Sequence, residues 1–97
     1  MTTYILLVNW TDQGIRDVKN TLDRVKSFRK TAQAMGITVD ALKWTLGSHD
    51  LVVTVDAPDD ETVTRLGMAL GQLGNVRTTT MRAFGEDEMA RILKGLP

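Results

Sequence analysis

The sequence predicts a single α+β domain, and three observations carry that prediction. Short runs of Tyr, Ile, Leu, Val and Trp are separated by longer stretches whose apolar residues recur at steps of three and four. A break at Gly47-Ser48-His49-Asp50 joins the two middle strand-like runs, as a hairpin requires. The length of 97 residues suffices for one core and one domain, spanning residues 1–97.

The first run, Thr3 to Trp10, is too short for a capped helix and rich in strand formers. Tyr4, Leu6, Val8 and Trp10 fall on one face, Ile5 and Leu7 on the other. From Thr11 to Gly36 the pattern predicts one long helix. Thr11 or Asp12 serves as its cap, and Gly36 stands where a left-handed residue ends it. Its apolar stripe is Ile15, Val18, Leu22, Val25, Ala32 and Met35, with Phe28 at the edge. Most of its charges lie outside that stripe.

Ile37 to Leu46 reads as a second strand and Leu51 to Ala57 as a third. The hairpin between them makes them antiparallel neighbours. Asp59 then caps a second helix with the stripe Val63, Leu66, Leu70 and Leu73. Gly67 and Gly71 lie in it four apart, a cost to helix propensity that close approach to the sheet or to a neighbouring chain explains. Gly74-Asn75 ends the helix, Val76 to Phe84 forms a fourth strand, and a short acidic-to-basic helix closes the chain. The order β-α-β-β-α-β with right-handed crossovers is the ferredoxin-like arrangement: a four-stranded antiparallel sheet with two helices on one face, plus a C-terminal helix.

That arrangement leaves the second face of the sheet uncovered. Ile5, Leu7, Val52, Val39 and Ala41 are expected there, opposite Leu51, Val53, Val55, Leu42, Trp44 and Leu46. A second copy of the chain is the economical cover, giving a homodimer or higher homo-oligomer in which two sheets pack face to face. The expected architecture is therefore a dimeric α/β barrel.

Composition excludes several chemistries. Twelve basic residues balance twelve acidic ones, so no global field draws the chain to nucleic acid or to an anionic membrane. With no cysteine there is no disulfide, thiolate zinc or iron–sulfur centre. A single histidine rules out a histidine-rich metal site within one chain, and no cofactor is expected. No apolar run reaches membrane-spanning length and the N-terminus reads as a strand, so the expected location is the cytoplasm.

Candidate site residues follow from residue type. His49 is the chain's only histidine, the residue type whose unperturbed pKa lies near neutrality. It is a candidate proton shuttle oriented by Asp50, although a packed turn histidine and an Asp bonding backbone N–H groups are the leading readings. Asn9, Trp10 and Trp44 are candidates to line a small-molecule pocket, against a packing role for both indoles. Arg77 and Arg82, five apart in a strand, point to opposite faces, and one of them is a candidate to hold an anionic ligand group.

The segments "YILLVNWTDQGIRDVK", "WTLG..DLVV", "APDDETV" and "ALGQLGNVRTTTMRAF", in this order and followed by the short helix, resemble the GYD domain family over Tyr4 to Leu93. These are small bacterial and archaeal proteins of largely uncharacterised function. The resemblance implies a ferredoxin-like fold related to dimeric α/β barrels. Gly47 and Asp50 fit the family's Gly-Tyr-Asp turn, but His49 stands where tyrosine is expected, which puts any role of the phenol in doubt. The expected function is a homo-oligomeric small-molecule-binding or assembly module. The alternative is a cofactor-independent enzyme, monooxygenase- or isomerase-like by analogy of fold, with its site in the barrel near His49. RNA binding is disfavoured: the fold shares its strand order with RNA-recognition modules, but there is no basic excess.

Overall fold

The computed structural model describes residues 1–97. Its elements are β1 (Thr2–Trp10), α1 (Asp12–Arg16), a 3-10 turn (Val18–Asn20), α2 (Thr21–Ala34), β2 (Thr38–Trp44), β3 (Leu51–Ala57), α3 (Asp60–Gln72), β4 (Val76–Arg82) and α4 (Glu86–Lys94). The sheet order is β2-β3-β1-β4, and every neighbouring pair is antiparallel. This is the ferredoxin-like arrangement that the sequence predicts.

Alternation in the two central strands sorts the sheet. Tyr4, Leu6 and Val8 of β1 pair with Val55, Val53 and Leu51 of β3, and all six are buried. Phe28, Ala32 and Ile37 cover them from one side of the helix layer, Val63 and Leu66 from the other. Each such side chain contributes roughly 1.5–3 kcal/mol by leaving water. The Tyr4 hydroxyl escapes the apolar layer by donating to Asp60 Oδ1 at 2.5 Å. That bond and its burial push the phenol up to about 12.

The first helical segment departs from the single helix expected. It breaks at Asp17, whose backbone (φ −112°, ψ 35°) is not helical. Both Asp17 carboxylate oxygens accept from Asn20 Nδ2 at 2.8 Å, a local bond that competes with helix continuation. The break resets the helical phase. Phe28, expected at the edge, is 8% exposed, whereas Leu22, expected in the stripe, is 64% exposed. The end of α2 matches the prediction. Gly36 has φ 74°, its N–H reaches the Gln33 carbonyl at 3.1 Å, and the Ile37 N–H reaches Ala32 at 2.9 Å, a Schellman closure. Asp59 caps α3, Oδ1 accepting from the Thr62 N–H at 2.8 Å and from its hydroxyl at 2.7 Å.

The second strand also departs from a plain alternation. A bulge between Val39 and Ala41 shifts its phase by one residue. Val39 therefore sits opposite Val55, Leu42 opposite Val53 and Trp44 opposite Leu51, all in register with the covered face. The uncovered face is correspondingly narrower than expected. Ile5, Leu7, Val52 and Met81 run through it among Thr3, Thr54, Thr79 and Asn9.

One unanticipated glycine fixes how α1 enters. The Thr11 N–H donates to the Asn75 carbonyl at 3.0 Å and its hydroxyl to Gly74 at 2.5 Å, so the start of α1 lies on the loop before β4. A Cβ on Gly14 would lie 1.9 Å from the Asn75 carbonyl oxygen. Gly14→Ala is expected to force these backbones apart and to cost about 1–3 kcal/mol or more, read by urea denaturation.

The bulged Asp40 presses its carboxyl against that of Asp56. The contact raises Asp40 above its ordinary value. Asp56 is held low, first by Asp40 and then by the Thr3 hydroxyl, which donates at 2.6 Å. An acid raised in the folded state binds its proton more tightly there than in the unfolded chain, so its contribution falls as pH rises through the folded value. Asp40→Asn is expected to raise the Tm at neutral pH, and the gain is expected to shrink below about pH 4, where both forms are uncharged at this position.

Candidate functional site

Five of the predicted site residues converge on one end of the sheet because three chain segments end there. Asn9 and Trp10 close β1, Trp44 closes β2, and His49 and Asp50 lie in the turn that leads into β3. Arg77, near the start of β4, pairs with Asn9. Arg82 pairs with Tyr4 at the opposite end, so the structure does not bring it to the others.

The turn owes its shape to Gly47, whose φ of 124° suits glycine and few other residues. Asp50 then spends its N–H, its carbonyl and one carboxylate oxygen on backbone closure. Its N–H donates to the Val8 carbonyl at 2.8 Å, its carbonyl accepts from the Thr45 N–H at 2.8 Å, and Oδ2 accepts from the Trp10 N–H at 2.9 Å. Asp50 therefore binds backbone, the leading reading of the sequence, but on β1 rather than within its own turn. It makes no hydrogen bond to His49.

His49 is oriented by Asn9 instead. Asn9 Nδ2 donates to the Ser48 carbonyl at 2.9 Å, so Oδ1 is left to accept, and it meets His49 Nδ1 at 2.8 Å. That contact assigns the proton to Nδ1 in the neutral ring and leaves the Nε2 lone pair available. The ring is half-buried. No group of three or more His, Cys, Asp or Glu side chains is placed where it could hold a metal ion.

The two indoles lie on the covered side. Trp44 Nε1 donates to the Thr21 hydroxyl of α2 at 3.0 Å, which ties the rim of β2 to the helix layer. Trp10 packs against the core and borders a cavity of about 310 Å3 between α2, α3 and the sheet. The cavity is mostly apolar because its floor is the buried face of β1 and β3.

The two arginines part ways. Arg77 holds a register position on the uncovered face, yet its Nη1 lies 3.5 Å from where a Gly71 Cβ would be. Close approach by β4 bears on Gly67, whose Cβ would lie 3.3 Å from the Thr78 hydroxyl, whereas a Cβ on Gly71 would make only an ordinary contact with Arg77. Arg82 is held by Glu88 of α4 at 2.8 Å and stacks 4.5 Å from the Phe84 ring centroid. That ion pair, with the Gly85 N–H, holds the Glu88 carboxyl below its ordinary value.

Sequence reasoning missed Arg24, one of the charges outside the expected apolar stripe. Arg24, Phe28 and Thr31 are spaced four and three apart, and all three border the cavity. That spacing was available as a signal, but only with the helical phase set by the break at Asp17.

Asp50→Ala is expected to leave the Trp10 N–H without its acceptor and to cost about 1–3 kcal/mol. Asp50→Asn, which keeps an acceptor oxygen, is expected to recover most of that loss, and His49→Ala is expected to cost less than Asp50→Ala. Urea denaturation of the three variants ranks them.

Comparison with known proteins gives two findings. A family model described as GYD domain matches residues 4–93. A protein of Thermus thermophilus named glutamine synthetase and cystathionine beta-lyase binding protein is 32% identical over 95 residues, covering 97% of this chain and 100% of its own length.

Proposed function

The chain belongs to the GYD domain family, and from that premise we propose that it is a homo-oligomeric assembly module that binds other proteins. The observation that carries this reading is α4. Met89, Ile92 and Leu93 recur at three and four, the spacing of one helix face, and all three are exposed, as is Leu96 just past the end of the helix. No residue of α4 is buried. The helix is nonetheless positioned: Glu88 accepts from the Gly85 N–H at 3.1 Å while it holds Arg82. An amphipathic helix that is anchored but unpacked suits a contact with another chain.

The overall shape supports the same reading. The chain exposes 6582 Å2, where a compact monomer of its mass exposes roughly 5500 Å2. The excess is on the order of 1000 Å2, close to what one partner contributes to a standard interface. The radius of gyration, 14.7 Å, exceeds the roughly 13 Å usual for this length. In this proposal α4 and the Ile5, Leu7, Val52 and Met81 strip pack on a second copy, and the assembled particle docks on its partners.

The Thermus relative is named for binding two enzymes. By that likeness, glutamine synthetase and cystathionine beta-lyase are the first partners to try. A cytoplasmic setting is proposed with them, supported by the cysteine-free composition. No helix is long and apolar enough to cross a membrane. Nothing favours the enzyme reading over this one, because Asp50 and Asn9 are committed to backbone closure and to His49.

Sedimentation at micromolar concentration is expected to find at least twice the 10.8 kDa chain mass. The double variant Met89→Glu, Ile92→Glu is expected to sediment as a monomer with little change in Tm, since those side chains support no core. Calorimetric titration of the wild type into purified glutamine synthetase and cystathionine beta-lyase is expected to give binding to at least one. A monomeric wild type defeats the self-association, and silence with both enzymes defeats the proposed partners.

A further inference from the structure

We propose that the cavity between the helices and the sheet is a binding site for a small carboxylate with an apolar body, and that Arg24 receives its charge. The cavity, about 310 Å3, lies at the lower end of the range usual for small-molecule sites. Leu6 and Val53 form its floor, Phe28 and Leu70 its roof, and Trp10 closes one end. Such walls favour an aliphatic or aromatic body.

Arg24 sets the polarity of the occupant. Its Nη2 is committed, donating to the Gly14 carbonyl at 3.0 Å and also to that of Asp17. The Asp17 carboxylate lies 3.9 Å from that same nitrogen. Its Nη1 is buried and has no hydrogen-bond partner. A guanidinium nitrogen carries two N–H donors, and buried donors are nearly always paired. A carboxylate is the acceptor whose geometry and charge best match a guanidinium edge. Asp23 also borders the cavity, but it is exposed and its charge is screened by water. Thr21 and Thr31 add hydroxyls on the same helix.

This site is separate from the surfaces proposed for assembly. It lies under the helices, whereas those surfaces are α4 and the far side of the sheet. The two proposals therefore stand or fall independently.

The test uses the full chain with two probes of matched length, octanoate and 1-octanol. Each is titrated by calorimetry and followed through the methyl resonances of Leu6 and Val53. Octanoate is expected to bind at least tenfold more tightly than octanol and to shift those methyls. Arg24→Met is expected to bring octanoate down to the level of octanol. Val25→Trp, which enlarges a side chain bordering the cavity and keeps Arg24, is expected to abolish binding of both. Should Arg24→Met loosen the α1–α2 junction, the octanoate-to-octanol ratio in the wild type still decides. Equal binding of the two probes, binding of neither, or octanoate binding that survives Val25→Trp would overturn the proposal.

Discussion

Burial of one face of the two central strands is the constraint on which the rest of this structure depends. Tyr4, Leu6 and Val8 meet Val55, Val53 and Leu51 across a ladder with a period of two. A shift of that ladder by one residue would move the whole set into water. The helices dock where they do because this face is the largest apolar surface available. The bulge in β2 serves the same constraint. It turns Val39 to the side of Leu42 and lets the edge strand extend the floor rather than oppose it. The cavity stands on this floor as well, roofed by Phe28 and Leu70.

At the end of the sheet, polar side chains replace apolar ones as the organising contacts. Asp50 reaches from the hairpin to the last N–H of β1, and Asn9 reaches back to the turn. The two bonds cross between the same segments in opposite senses, which clamps the hairpin to β1. His49 is held by that clamp through Asn9. A tyrosine at the position, as in the family turn, would present an aromatic body to the same neighbour but a different polar tip. The clamp itself needs only Gly47, Asp50 and Asn9.

The chain divides its apolar surface between a covered face, which makes the fold, and an uncovered remainder. Part of that remainder is organised: a strip along the outer side of the sheet and one stripe on α4, while Ile15, Leu22, Leu46, Met68 and Leu73 are exposed elsewhere. Arg82 and Glu88 hold α4 at a defined place, with an ion pair that is about one-third exposed on each side. Arg82, one of the two arginines considered for a ligand in the sequence, thus works as a strut for the terminal helix.

Several features were legible in the residues alone because they rest on local chemistry. The strand faces of β1 and β3, the Gly36 closure, the Asp59 cap and the hairpin at Gly47 each depend on a few neighbouring side chains and their backbone preferences. The backbone role of Asp50 was also legible, though not its target. What the sequence did not reveal depends on contacts made from afar. The break at Asp17 is decided jointly by Asn20, Arg24 and the approach of Gly14 to Asn75, whose partner lies some sixty residues away. That break sets the phase of α2, and so decided that Phe28 is core, that Leu22 is exposed and that Arg24 faces the cavity. The sequence by itself determined the order of strands and helices and the core face of β1 and β3, since period and propensity are properties of the local chain. Only the tertiary structure decided the phase of α2, the bulge in β2 and the partner of each polar site residue, because these are settled by close approaches between segments distant in sequence, which no local pattern records.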